Sequence, residues 1–139
     1  MENLLPHYLN ECTSIEQSNK LVDLGIFRLL KTYPFLCWQR FVKFNPKQEK
    51  VIEKTPWKIS LYSLEYHQPA SVLSKLELTP AFTINELISL VPGKLNIRKT
   101  SDGDFIVSIF GKEDAGFKAK SLIDALYNLI INLFINKLI

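Results

Sequence analysis

The chain has 139 residues, of which 47% are apolar and 22% are charged. This length and balance are those of one ordinary globular domain, and they exclude a disordered chain. Two cysteines are too few for the disulfide framework of a small secreted protein, and no apolar run reaches the about 20 residues of a membrane span. The first residues lack the basic and apolar regions of a secretory signal. We therefore expect a single cytoplasmic domain over residues 1–139, with free thiols and no membrane span.

We expect residues 1–12 to be a loosely ordered lead-in to the first helix. In Thr13-Ser14-Ile15-Glu16 a hydroxyl precedes a carboxylate by three positions. This is the spacing of a capping box, in which each side chain bonds a free backbone N–H of the helix start. Gly25 is suited to end the helix because glycine adopts the left-handed conformation with little strain. The pattern predicts a helix from about Ser14 to Leu24.

Residues 35–44 are rich in aromatic and β-branched side chains, which favours a strand, although the pattern also leaves a helix open. Residues 57–62 alternate between apolar and polar side chains, which predicts a half-buried strand. Its even positions, such as Ser60, are expected to face solvent. Together the two segments predict a hairpin whose strands are joined by a long polar loop from Asn45 to Pro56.

A break is predicted at Thr79-Pro80, and a second helix begins after it. Thr83-Ile84-Asn85-Glu86 repeats the spacing of a capping box. Pro92-Gly93 follows a short apolar stripe and predicts the end of this helix.

A second hairpin is predicted from Leu95–Arg98 and Phe105–Phe110, because the Asp102-Gly103 pair between them is a strong signal for a tight turn. The order of elements is therefore helix, two strands, helix, two strands, helix. Short connections favour antiparallel pairing. We expect an α+β fold with a small antiparallel sheet of about four strands in two hairpins, and about three helices packed on it.

The last helix begins after Ser121, whose hydroxyl precedes the Asp124 carboxylate by three positions. Asp124 opens a polar ridge that recurs at every fourth residue up to 136. The opposite side is apolar over more than half of the circumference, which is wider than a surface helix needs. This helix is therefore either deeply packed or shared with a partner chain. The candidate contacts with a second copy are Leu126, Ile130 and Phe134.

No pattern in the sequence indicates a catalytic, cofactor or metal site. The cysteines and histidines are Cys12, Cys37, His7 and His67, and their spacing does not resemble a zinc site. The scattered glycines form no phosphate-binding loop. A Cys37–His67 nucleophilic pair is the enzymatic alternative, but the apolar neighbours of Cys37 favour a buried structural thiol. We expect no cofactor and no enzymatic activity.

The basic excess is concentrated in residues 40–58, which carry six basic and two acidic side chains. The six are Arg40, Lys43, Lys47, Lys50, Lys54 and Lys58, and the aromatic residues Trp38, Phe41 and Phe44 interleave with the first of them. Proteins that bind single-stranded nucleic acid stack bases on aromatic rings and hold phosphates with Lys and Arg. This stretch is thus a candidate nucleic-acid or partner contact. The alternative is an amphipathic strand with its aromatic residues in the core and its lysines in water.

Three segments together resemble a known group of proteins. They are Ser14-Ile15-Glu16-Gln17-Ser18 with Leu21 and Leu24-Gly25, then Pro80-Ala81-Phe82-Thr83-Ile84 with Leu87, Leu90 and Pro92, and finally Leu122, Asp124-Ala125-Leu126, Leu129 and Leu133. In this order they resemble small uncharacterised proteins encoded by bacteriophages, prophages and other mobile elements of gut anaerobic bacteria. Phe82 stands where tryptophan is expected in that group. The resemblance implies a cytoplasmic accessory protein and transfers no site residue.

The expected function is therefore binding rather than catalysis. The leading hypothesis is an accessory protein that contacts another protein, or a second copy of itself, through the C-terminal helix or the aromatic segment 35–44. The alternative is nucleic-acid binding through the six basic residues of the 40–58 stretch. Salt separates the two, because contacts to phosphate weaken steeply as salt rises.

Overall fold

The computed structural model describes residues 11–31, 34–45, 47, 50–61, 74–112 and 115–139. In these residues the α-helices are α1 (Ile15–Asp23), α2 (Ile84–Ser89) and α3 (Leu122–Ile135), and a 3-10 helix follows α1 at Ile26–Leu29. The strands are β1 (Leu36–Asn45), β2 (Lys50–Lys54), β3 (Lys58–Leu61), β4 (Ser74–Ala81), β5 (Leu95–Lys99), β6 (Phe105–Ile109) and β7 (Phe117–Ala119). Residues 1–10 of the expected lead-in, Tyr62 of the expected second strand and both histidines lie outside the described residues.

The first sheet is built around β1, which pairs antiparallel with three other strands. β4 runs along one side of β1. On the other side β3 pairs with residues 36–39 and β2 pairs with residues 42–45. Thr55 lies between β2 and β3 and continues their pairing with β1 across the gap at Phe41. Its side-chain oxygen accepts the Phe41 N–H at 2.8 Å, and its own N–H donates to the Phe41 carbonyl at 2.9 Å.

The second sheet has the order β5-β6-β7, with both pairs antiparallel. The predicted hairpin with its Asp102-Gly103 turn is confirmed. The Thr100 N–H donates to the Asp104 carbonyl at 2.8 Å across the turn. Gly103 has a φ of 88°, a conformation that glycine adopts readily.

Two apolar clusters hold the elements together. The larger one lies between the second sheet and the helices, and its fully buried members include Leu21, Leu87, Val107 and Leu126. The smaller one lies against one face of the first sheet and contains Cys12, Leu36, Trp38, Ile59 and Ala81. Helix α1 belongs to both clusters, because Leu21 enters the larger one and Ile15 packs on the smaller one.

The predicted α+β class, with helices packed on a small antiparallel sheet, is confirmed. Residues 35–44, which left both a strand and a helix open, form strand β1. About four strands were expected, and the described residues form seven strands in two sheets. The additional strands were missed because β2 lies in a polar stretch, β4 contains a proline and β7 has only three residues.

The predicted cap of the first helix is wrong by one residue, although the helix itself is confirmed. Ser14 is the N-cap: its hydroxyl oxygen accepts the Gln17 N–H at 3.1 Å, and the Gln17 side-chain oxygen accepts the Ser14 N–H at 2.9 Å. Thr13 is instead buried, and its hydroxyl lies 2.7 Å from the Ser18 hydroxyl and accepts the Phe82 N–H at 3.0 Å. The cap shifts because the buried Phe82 N–H needs the Thr13 oxygen as its acceptor.

Two segments that were predicted to lie outside strands belong to the first sheet. Strand β2 lies inside the predicted loop Asn45–Pro56, and β4 contains the predicted break at Thr79-Pro80. Proline is tolerated because β4 is an edge strand, with β1 as its only partner among the described strands. In β3 the predicted alternation fails, because Ile59 and Ser60 are both buried while Leu61 is 47% exposed.

Candidate functional site

Arg40, the first cation of the 40–58 stretch, is engaged within the fold. It lies directly opposite Glu77 in the β1–β4 ladder, and its Nη2 is 3.2 Å from the Glu77 Oε2. Its guanidinium also lies 4.3 Å from the centre of the Trp57 ring. The Arg40 side chain is only 20% exposed. Arginine typically combines stacking with ion pairing at one site. Here the two contacts hold β1 against β4 through Glu77 and against the start of β3 through Trp57.

The lysines of this stretch lie on the surface. Lys43 forms an exposed ion pair with Glu53 at 3.9 Å, a kind of pair that contributes little to stability. Lys50, Lys54 and Lys58 are exposed and form no ion pair with any residue in the described part of the chain. Lys47 is exposed in the turn after β1.

The strand register divides these cations between the two faces of the first sheet. Paired residues of neighbouring strands place their side chains on the same face. Lys54 pairs with Val42, two residues after Arg40, so both cations belong to the inner face, which covers the smaller apolar cluster. Lys43 and Lys58 belong to the outer face, since Lys58 pairs with Gln39. The basic stretch is therefore not one continuous cationic surface.

The interleaved aromatic residues are divided in the same way. Trp38 is buried in the inner face and donates its indole N–H to the Thr13 carbonyl at 2.9 Å. Phe41 lies on the outer face and is 42% exposed. The alternative of an amphipathic strand with its aromatic residues in the core thus holds for Trp38 and fails for Phe41.

An apolar strip accompanies Phe41 on the outer face. Leu76 pairs directly with Phe41, and Leu78 pairs with Gln39 in the next position on the same face. Both leucines are half-buried. We name the set Phe41, Leu76, Leu78, Lys43 and Lys58 the Phe41 face. The two leucines were missed because the sequence indicated no strand there, although Leu76 and Leu78 alternate with charged Glu77.

The apolar arc of α3 is accounted for by the core of this chain. Leu126 and Ile130 have no exposed surface, and Phe134 is half-buried against the same cluster. Of the two alternatives for this helix, the structure shows deep packing. Leu126 and Ile130 therefore present no surface for a second copy. The Asn128, Asn132 and Asn136 positions of the polar ridge are exposed.

Cys12 and Cys37 are both buried thiols that form no disulfide, and the burial of Cys37 confirms the prediction of a structural thiol there. Burial raises the pKa of Cys37 from 9.0 to about 11. Burial, with smaller contributions from the Glu11 and Glu86 carboxylates, raises the pKa of Cys12 to about 11 as well. Both thiols are therefore protonated at neutral pH, whereas a nucleophilic cysteine needs a lowered pKa.

An open cleft of about 560 Å³ lies beside the first turn of α2, lined by Glu11, Phe35 and residues 83–86. The Glu86 carboxylate in it accepts the Thr83 N–H at 2.9 Å and the Phe35 N–H at 3.1 Å. This carboxylate is thus committed to capping α2 and holding the start of β1. In the described part of the chain, no three His, Cys, Asp or Glu side chains are grouped to hold a metal ion.

The search for similar proteins found no matching family model, no curated relative and no solved structure. Among the described residues, no helix combines the length and the apolar character that crossing a membrane requires.

Proposed function

We propose that this protein acts without catalysis, by binding another protein through the Phe41 face. The observation that carries the proposal is the 42% exposure of Phe41 on the outer face of β1, with Leu76 directly opposite it. Aromatic side chains that remain exposed next to other apolar groups are enriched at the centres of protein interfaces. The protonated thiols of Cys12 and Cys37 support the non-catalytic part of the proposal.

The partner is a protein surface with an apolar centre and acidic residues around it. Lys43 and Lys58 flank the apolar strip of the Phe41 face, and Glu53, which lies opposite Lys43 on the same face, offsets part of the charge of Lys43. Complementary charge around an apolar centre sets the orientation of a complex and speeds its formation. Two copies of this face would each bring a net positive charge to the contact, so a different, acidic protein is favoured over a second copy.

The resemblance to proteins of phages and mobile elements supports an accessory role for such a binding protein. The alternative, nucleic-acid binding through the 40–58 stretch, is less well supported. Arg40 is engaged by Glu77 and the Trp57 ring, and Lys54 belongs to the opposite face of the sheet from Lys50 and Lys58. A phosphate backbone would not reach both faces at once.

Site-specific photocrosslinking tests the proposal. Benzoylphenylalanine at position 41 is expected to crosslink a protein in the source cells, whereas the same group at Ile135, which is exposed at the end of α3, is expected to crosslink nothing specific. A partner captured only from position 135 would instead assign contact to the C-terminal helix.

Binding to the purified partner is then measured by calorimetry. F41A is expected to weaken binding about tenfold or more, as for truncation of an aromatic anchor. K43E and K58E are expected to slow association, whereas K99E on the second sheet serves as a control of equal charge change. An F41A protein that folds and binds like the wild type contradicts the proposal. Light scattering that shows a wild-type dimer and an F41A monomer would assign the face to a second copy.

A further inference from the structure

The second sheet packs one face in the core, while on its opposite face Ser108 is buried, Ile106 is half-buried, and Arg98 and Lys118 are exposed. Leu95, Val107 and Phe117 belong to the larger apolar cluster beneath α3. Successive side chains of a strand point to opposite faces, so the residues next to these three lie on the outer face. In that face Arg98, Ile106 and Lys118 stand side by side across the three strands.

A second pair of residues extends the outer face at the end of the β5–β6 ladder. The Phe110 N–H donates to the Lys94 carbonyl at 2.7 Å, which adds one pair beyond Leu95 and Ile109. Phe110 and Lys94 are therefore neighbours on the outer face. We name the set Lys94, Arg98, Ile106, Phe110 and Lys118 the Phe110 face.

The Phe110 face carries a net positive charge. Lys94, Arg98 and Lys118 are all exposed. Lys118 lies 3.6 Å from the Asp104 carboxylate, while Lys94 and Arg98 form no ion pair with any described residue. Strand spacing puts Arg98 and Lys118 about 10 Å apart across the sheet, and strand rise puts Arg98 and Lys94 about 13 Å apart along it. The three cations are therefore spread around an extended surface of the sheet and do not converge on a single small anion.

Phe110 stands on this surface with 69% of its side chain exposed, the largest fraction among the exposed large apolar side chains of the described residues. It belongs to neither apolar cluster. Phe110 directly follows the last residue of β6 and its ring extends into water beside Lys94, while Ser108, two positions earlier, is buried and pairs with Asn96 in the ladder. Packing within the described residues does not account for an aromatic ring at that position.

We propose that the Phe110 face binds single-stranded nucleic acid. One base stacks on the Phe110 ring beside Lys94, and the strand then runs along the sheet so that Arg98 and Lys118, about 13 Å away, hold phosphates of the neighbouring nucleotides. A duplex hides the faces of its bases inside the stack, so an exposed ring on a sheet favours unpaired strands. RNA and DNA share this chemistry, since both offer base faces and phosphates. The site lies on the other sheet from the Phe41 face and does not depend on it.

Fluorescence anisotropy tests the site with labelled oligothymidine and oligouridine strands of about 12 nucleotides, and with a duplex of the same length. Both single strands are expected to bind, and a tighter one would identify the natural sugar. Three phosphate contacts predict an affinity that falls about twentyfold between about 50 and 200 mM salt. F110A is expected to weaken binding about tenfold, and F110W to restore it, because tryptophan also stacks on bases.

A matched pair of variants distinguishes the contribution of the Phe110 face to binding from the effect of the overall charge of the chain. Lys99 is the neighbour of Arg98 on β5, but it pairs with Phe105 on the opposite face, with its Nζ 5.4 Å from the Phe105 ring centre. R98E and K99E change the net charge equally. R98E is expected to weaken binding more than about tenfold and K99E less than about threefold.

The proposal is overturned by equal losses in R98E and K99E, by duplex binding as tight as single-strand binding, or by no binding at the lower salt concentration. Circular dichroism and thermal melting of each variant establish that it is folded. Because all substituted side chains are exposed, the variants are expected to melt within a few degrees of the wild type.

Discussion

Gln17 and Asp124 join the starts of two helices that are far apart in sequence. The Gln17 Nε2 donates to the Asp124 Oδ1 at 2.7 Å, while the Oε1 of the same amide accepts the Ser14 N–H at 2.9 Å. Asp124 lies in the first turn of α3, where a negative charge is favourable. One side chain therefore completes the capping box of α1 and holds α3 against it.

Reversing the donor and acceptor of this bridge is expected to preserve it. Q17E keeps the oxygen that caps α1 but places two carboxylates together, so the free energy of unfolding should fall by about 2 kcal/mol. Adding D124N should recover most of that loss, because the amide introduced at position 124 then donates to the carboxylate introduced at position 17. Urea denaturation of the two single variants and the double variant measures the coupling. Strictly additive losses would mean that the 2.7 Å contact contributes nothing.

Thr13 is buried next to the smaller apolar cluster, and substitution there is expected to lower the stability of the chain. T13V keeps the volume but removes the hydroxyl that accepts the buried Phe82 N–H and bonds Ser18. An unsatisfied buried donor costs about 1–3 kcal/mol of stability. S18A leaves the Phe82 bond intact and should cost less. A thermal melt that ranks S18A below T13V in stability would contradict this arrangement.

Stability is expected to fall in alkaline solution because of the buried thiols. The folded chain keeps the Cys12 and Cys37 protons until pH reaches about 11, whereas the unfolded chain releases them near 9.0, the ordinary pKa of a thiol. The stabilisation is thus complete below pH 9 and is lost as pH rises toward 11. Urea denaturation between these values should show a shallower decline for C12A/C37A than for the wild type. The pKa of Tyr127 is also raised by burial, so some decline should persist.

The end of α3 holds a lysine in a strained conformation. Lys137 has a φ of 59°, and the Leu138 N–H donates to the Leu133 carbonyl at 2.8 Å, as in the motif that usually places glycine there. K137G is therefore expected to raise the free energy of unfolding by about 1 kcal/mol. K137A removes the same charge but keeps the strain, so it should not stabilise the chain. A gain in K137A equal to that in K137G would point to charge as the cause.

Local signals predicted the parts of the fold that depend on neighbours in sequence. The capping box from Thr83 to Glu86 and the Asp102-Gly103 turn appear as predicted, because such motifs bond residues only a few positions apart. The cap at Thr13 was misplaced by one residue because its hydroxyl is used by Phe82, 69 positions away. No local pattern carries that information.

The two surfaces proposed for binding also differ in how much of each could be found from local sequence patterns. Phe41 and its cations were recognised in the sequence, but their division between two faces depends on the β1, β2 and β3 register. The Phe110 face was not recognised at all, since Lys94, Arg98, Phe110 and Lys118 are spread over 25 positions of the numbering. Their meeting requires three strands to pair in one register.

The sequence by itself determined the α+β class, the three helices and the second hairpin, because hydrophobic period, caps and turn residues act over a few bonds. Only the tertiary structure decided that Leu126 and Ile130 belong to the core of this chain and that Phe41 and Phe110 remain in water. The physical reason is that burial depends on what packs against a side chain. In this chain some of those contacts, such as that of Gln17 with Asp124, join residues more than a hundred positions apart.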